Sequence, residues 1–233
     1  MTETEPAGTA TRSAARNPAP DARRTTALIV GIAATVAFVV LRVAVDLGGR
    51  APFAIDVWWH ALMVSASSAP VTVIAWIPAV AGGTIGMIVI GAVLILLFLW
   101  RRRRWDAATL AIAMVLVVAI GATLAAVIAR LRPDDSLAES SATSFPSGHT
   151  AVAATVALIL ALVLRRWYVW VIGGGWLLLM MWSRTYLRAH WLSDVTAGML
   201  EGVAVACLVW CAVEAFRDRR AQRSAAPAAL SAD

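Results

Sequence analysis

Two of the chain's three histidines stand among arginine, serine and carboxylate residues at spacings that suit phosphoryl transfer. One stretch reads Ser144-Phe145-Pro146-Ser147-Gly148-His149-Thr150. A second runs from Ser183-Arg184 through Arg188 and His190 to Asp194. A third holds Arg130, Arg132, Pro133, Asp134 and Asp135. A phosphoryl group in transit carries spread negative charge, so its catalysis is mostly positioning and charge stabilisation. Arginine brings a planar fork of donors matched to phosphate oxygens. A helix opening at Ser147 offers free backbone amides and positive dipole character to an anion. Gly148 lets the backbone approach closely, and Ser147 adds a hydroxyl that can cap the helix. His190 and Asp194 are four apart, which one helical turn brings to the same face. Asp194 can then accept from one imidazole nitrogen, fix the tautomer and leave the other nitrogen free to attack.

The elements that must position these residues lie in a membrane. Of 233 residues, 61% are apolar and only 15% charged; a soluble domain carries about 25% charged residues. The apolar residues come in long runs of the kind that cross a bilayer at ~20 residues each. Such runs are expected at 25–45, 77–100, 107–129, 147–164, 168–187 and 192–213. Residues 46–76, with Trp58, Trp59 and His60, read as a loop plus an interfacial amphipathic segment. The fold class expected is all-α: a six-transmembrane-helix bundle with that segment between spans one and two. Residues 1–24 and 214–233 read as disordered cytoplasmic tails flanking a membrane domain at 25–213. The first apolar run starts only after Arg24, so no signal peptide is expected.

The net charge of +6 comes from 20 arginines, with no lysine. Arginines cluster before span one, at 101–104, at 165–166 and after span six. With six crossings these clusters share one side, which the positive-inside rule makes the cytoplasm. Their placement suits orientation in a bilayer, and no nucleic-acid partner is expected. Arg130, Arg132, Arg184 and Arg188 fall at the opposite, outward end, where the rule disfavours them. They contact outer headgroups or bind an anion there.

Three motifs carry a resemblance. The chain is similar to the type 2 phosphatidic-acid phosphatase family, membrane lipid phosphatases that share their site with vanadium haloperoxidases. That family's motifs are K-x6-R-P, P-S-G-H and S-R-x5-H-x3-D. The second is met by Pro146, Ser147, Gly148 and His149, and the third by Ser183, Arg184, His190 and Asp194. The first is met only at Arg132-Pro133, with Ala125 where lysine is usual. The resemblance implies that His190 is the nucleophile forming a phosphohistidine and Asp194 its orienting partner. It implies that His149 is the acid for the leaving oxygen, then the base for water. Arg132, Arg184, Ser147 and Gly148 would hold the phosphate, with no metal and no cofactor. Arg130 or Arg188 could stand in for the absent lysine, or be plain loop charges.

The expected reaction is hydrolysis of a lipid phosphomonoester or of the terminal phosphate of a lipid pyrophosphate. Polyprenyl pyrophosphate, phosphatidic acid and phosphatidylglycerol phosphate are the substrate candidates. The expected partners are that lipid phosphate and the membrane lipids, at an extracytoplasmic site in the plasma or inner membrane. A phosphatase or phosphotransferase for a water-soluble ester is the nearest alternative, and a non-catalytic lipid binder or transporter is another. His60 reads as an interfacial residue before a catalytic one. Glu201, an intramembrane carboxylate, has a functional and a packing reading. Gly198 and Gly202 form a G-x-x-x-G pair suited to helix packing. Cys207 and Cys211, four apart in one apolar run, read as small buried residues.

Overall fold

The computed structural model describes residues 21–138 and 143–230. Most of the expected N-terminal tail, residues 1–20, lies outside the described residues, as do 231–233. Eight α-helices make up the described chain: α1 (Ala22–Leu47), α2 (Ala54–Ser65), α3 (Ala69–Ala81), α4 (Thr84–Trp100), α5 (Arg104–Ile128), α6 (Gly148–Leu164), α7 (Trp167–Tyr186) and α8 (Leu192–Leu230). Among the described residues the only β pairing is an isolated bridge between Leu131 and Thr143. The all-α expectation holds.

Among the described residues three helices can, by length and composition, cross a membrane: Ala22–Leu47, Arg104–Ile128 and Leu192–Ser224. α3 and α4 together can form a fourth crossing, bent by 51° at the break between them. Gly148–Leu164 is a shorter apolar helix. Large apolar side chains such as Val36, Val40, Ile88, Val115 and Ile172 are exposed around the bundle. So much contiguous exposed apolar surface does not suit water. This chain is an integral membrane protein.

Three boundaries differ from those expected. The segment 46–76 is not one interfacial stretch, because helix α3 already starts at Ala69 and leads into the next apolar run. The break comes at Gly82 and Gly83, whose amides close back on Pro78 and Val80. Helix α1 starts at Ala22, where the Asp21 side chain accepts from the Arg23 amide as an N-cap. At the other end α8 runs past residue 213 to Leu230. Alanine and arginine favour helix there, Arg217 pairs with Glu214 one turn away, and Arg24 of α1 meets Asp218 at 3.5 Å.

Helix α8 is the spine, packed along α1 on one side and α6 on the other. Small residues set the approach. A Cβ at Gly198 would sit 2.4 Å from the Ser147 carbonyl oxygen, and one at Gly202 would sit 2.3 Å from that of Ala151. The G-x-x-x-G pair therefore does pack helices, and it seats the start of α6 on α8. The main core joins Leu110 and Val117 of α5, Ile159 of α6 and Ala206 and Trp210 of α8. A smaller cluster of Phe38, Val45, Ile128, Phe145 and Ala197 lies under the loop that precedes α6.

Described arginines of these clusters gather at one end. Arg23 and Arg103 donate to the Leu162 and Val163 carbonyls at the end of α6, and Arg24 meets Asp218. The start of α6 and the start of α8 lie at the other end, tied by a 3.1 Å hydrogen bond from the Ser147 amide to the Asp194 carbonyl.

Candidate active site

Three segments meet at that second end: the irregular stretch after α5, the start of α6, and the turn between α7 and α8. The turn is closed from within. The Ala189 amide donates to the Arg184 carbonyl, and the Arg132 guanidinium reaches across to the Ala189 carbonyl. His190 sits in this turn, 4% exposed.

Its imidazole is fixed at both nitrogens. Nδ1 lies 2.7 Å from the Ser144 carbonyl oxygen, and Nε2 lies 3.2 Å from Arg132 Nη1. A carbonyl only accepts and a guanidinium only donates. Nδ1 therefore carries the proton, and Nε2 keeps its lone pair directed at Arg132. Burial first, then the charges of Arg184 and Arg132, hold this imidazole well below the usual histidine range. The Ser144 carbonyl opposes that shift, and the charge of His149 adds to it. One residue from each motif thus acts on His190.

This differs from the arrangement expected of Asp194. Its Oδ2 lies 4.0 Å from His190 Nδ1 and accepts from the Trp191 amide at 2.9 Å instead. His190 precedes the first turn of α8, so the four-residue spacing does not place the pair face to face. The main-chain oxygen of Ser144 takes the position the carboxylate was expected to hold.

Asp194 has another partner. Arg130, completely buried, donates through Nη1 to Asp194 Oδ1 at 2.6 Å and to Ser193 Oγ at 2.7 Å. Its Nη2 donates to Asp56 Oδ2 at 2.9 Å and to the Ala51 carbonyl, and its Nε to the Arg50 carbonyl. A guanidinium has five N–H donors, and these five bonds occupy them. Arg130 therefore does not stand in for the absent lysine. It belongs to a buried knot that ties α2 to the start of α8. Asp56, which the sequence reading passed over, also accepts from the Ser193 amide at 2.7 Å and the Ser193 hydroxyl at 2.6 Å.

The α6 start holds Ser147, fully buried, and Gly148, exposed. The Ser147 hydroxyl does not cap the helix; it accepts from Thr150 Oγ1 at 3.1 Å. Among the described residues outside its own turn of helix, nothing lies within 4 Å of where a Gly148 Cβ would stand. The first-turn amides of a helix have no intrahelical acceptor, so this opening presents donors to open space. A Cβ at Gly83, in the break between α3 and α4, would stand 3.8 Å from His149 Nε2. The bend thus brings the α3–α4 junction up to His149.

Arg188 turns elsewhere. Its Nη1 lies 3.0 Å from Asp135 Oδ2, at the rim of the site. His60 Nε2 meets the other oxygen of Asp135 at 3.3 Å, and its ring lies 5.4 Å from that of Trp191. Glu201 is buried, with neither carboxylate oxygen hydrogen-bonded among the described residues, and faces Gly121 of α5.

The site can be compared with known proteins. Residues 107–218 match the model of the PAP2 superfamily. A protein of Sulfolobus acidocaldarius named undecaprenyl-diphosphatase is 36% identical over 114 residues, which is 46% of this chain and 55% of that one. The chain thus spans about half the length of that relative. The crystal structure of the first transmembrane PAP2 type phosphatidylglycerolphosphate phosphatase from Bacillus subtilis matches with a TM-score of 0.69 at 21% identity. That match covers 81% of this chain and 96% of that one. LpxE of Aquifex aeolicus matches with a TM-score of 0.60 at 26% identity, over 68% and 96% of the two chains. The matched segment contains both histidine motifs and Arg132, so the resemblance read from them holds.

Proposed function

We propose that this chain is a membrane lipid phosphatase of the PAP2 superfamily, hydrolysing a lipid phosphomonoester or the terminal phosphate of a lipid pyrophosphate through His190. The observation that carries the reading is the imidazole held by Ser144 and Arg132, with its lone pair on Nε2 beside a phosphate-binding fork. The match to the PAP2 model supports it. The diphosphatase relative favours a polyprenyl pyrophosphate among the lipid candidates.

In this mechanism Arg132, Arg184, the Ser147 hydroxyl and the Gly148 amide bind the phosphoryl oxygens. His190 Nε2 attacks phosphorus in line with the leaving oxygen, and a phosphohistidine forms as the P–O bond breaks. His149, beside the α3–α4 junction, gives its proton to that oxygen. The same imidazole then takes a proton from water, which attacks the phosphohistidine and frees inorganic phosphate. Asp194 steadies the turn through Arg130 and the Trp191 amide. No step calls for a metal.

Six crossings would put both termini and the arginine clusters in the cytoplasm and the site at the extracytoplasmic rim. The lipid would then enter sideways from the outer leaflet. Phosphate release in detergent, with chelator present and across a panel of lipid phosphates, tests the reading. Turnover that survives chelator and disappears in His190→Ala is expected. Failure of every lipid phosphate, or activity indifferent to His190→Ala, would remove it.

A further inference from the structure

We propose that Arg188 and His60 form a second anion subsite at the mouth, which takes the phosphate nearer the lipid when the substrate is a diphosphate. The proposal rests on the phosphatase reading above and deepens it, because it names lipid diphosphates as the preferred class.

Four observations carry it. Arg188 and His60 come from different elements, the α7–α8 turn and α2, and both converge on the one carboxylate of Asp135, at 3.0 and 3.3 Å. They converge beside the nucleophile: Arg188 is two residues before His190, and the His60 ring packs against Trp191, the residue after it. The side chains of Arg188 and His60 are 17% and 23% exposed, whereas that of Asp135 is 42% exposed. The carboxylate can therefore leave for water more readily than its two partners can. Finally, Arg188 Nε is buried and has no hydrogen-bond partner among the described residues. A buried guanidinium N–H without an acceptor is costly, so the pairing with Asp135 leaves the Arg188 fork incompletely satisfied.

Asp135 is then a placeholder. It keeps the Arg188 fork and the His60 ring aimed at one point until a more highly charged oxyanion replaces it. For a monophosphate, the leaving group is an alcohol and places no charge at the mouth. With a diphosphate, His190 Nε2 attacks the terminal phosphorus. The bond from that phosphorus to the bridging oxygen breaks, and His149 protonates the bridging oxygen. The departing group is a lipid monophosphate, whose negative charge lies against Arg188 and His60. Stabilising that group favours diphosphate over monophosphate in the transition state as well as in binding.

The test uses the full chain in detergent and two pairs of probes. Farnesyl diphosphate and farnesyl monophosphate share one tail, so the ratio of their kcat/KM values isolates the second phosphate. Inorganic pyrophosphate and inorganic phosphate, titrated into the full chain carrying His190→Ala, report binding without turnover. The wild-type chain is expected to prefer the diphosphate member of each pair. Arg188→Ala should lower both ratios by about tenfold or more, the scale of a charge-assisted contact. His60→Ala should lower them less, and Asp135→Asn should raise them by removing the competing carboxylate. If Arg188→Ala does not fold, the His60→Ala and Asp135→Asn variants carry the test by their opposite directions. Hydrolysis with ratios unchanged in these variants would overturn the subsite and leave the phosphatase reading standing. Pyrophosphate preference lost in the variants, with no member of the whole lipid-phosphate panel hydrolysed by the wild type, would leave the subsite standing and remove the phosphatase reading.

Discussion

Arg130 Nη1 lies 2.6 Å from Asp194 Oδ1, and neither side chain is reached by solvent. The second carboxylate on this guanidinium, Asp56 at 2.9 Å, is equally buried. Removing one member of such a set strands the rest as uncompensated buried charge, at a cost of about 3–5 kcal/mol. Arg130→Ala and Asp56→Ala are each expected to destabilise the protein by that order. The double variant should cost less than the sum of the two, because each loss already breaks the same knot. Denaturation of the single and double variants in detergent checks this.

The His190 imidazole has a native pKa held well below the histidine value by burial and by Arg184 and Arg132. The unfolded chain takes up a proton near pH ~6.5, where the folded chain does not. Stability from this group is therefore present above that pH and falls as the solution is acidified. The slope approaches about 1.4 kcal/mol per pH unit for one proton. His190→Gln should be stabilised relative to wild type on going from neutral to mildly acidic solution. Equal pH dependence of unfolding in the two proteins would contradict the assignment.

At Gly198 a methyl group has no room, since its carbon would stand 2.4 Å from the Ser147 carbonyl oxygen. Gly198→Ala must push the start of α6 away from α8, at a cost of about 1–3 kcal/mol. Ser147, Gly148 and His149 move with that start, so phosphate release should fall more steeply than the amount of folded protein. Folded yield and specific activity, measured on the same preparation, separate the two effects.

Among the described residues Glu201 has no hydrogen bond to either oxygen, and it sits against Gly121 in the bundle. A buried polar group without partners is a liability. Glu201→Met, of similar volume and without charge, is expected to leave phosphate release intact and to raise stability by about 1–3 kcal/mol. Loss of turnover in a folded Glu201→Met protein would instead give the carboxylate a working role.

How much of this was visible beforehand depends on the residue. That Arg132 and His190 come together could be expected from the sequence, because with six crossings the runs that carry their motifs end at one face. Arg130 could not be assigned, since a guanidinium suits a phosphate and a carboxylate equally and only the fold decides between them. Asp56 gave no spacing signal at all. It is a single acid ahead of two tryptophans, and its partners lie 74 and 137 residues away in the chain. The Ser144 contact was invisible for a different reason, because a main-chain oxygen has no residue type to read. The helical run beyond residue 213 lacks an apolar period, and its helix rests on alanine and arginine propensity and on ion pairs such as Arg24 with Asp218. The break between α3 and α4 did leave signals, in Pro78 and the Gly82-Gly83 pair, that the hydropathy pattern outweighed.

The acceptor at Ser144 has a genetic consequence. Every amino acid carries the same carbonyl, so no codon change at position 144 can delete the oxygen that holds the His190 ring. Inheritance can disturb the His190 ring by shifting this stretch of backbone, but not by exchanging the atom that orients it. Variation at position 144 should therefore be judged by what each new side chain does to the path of the chain.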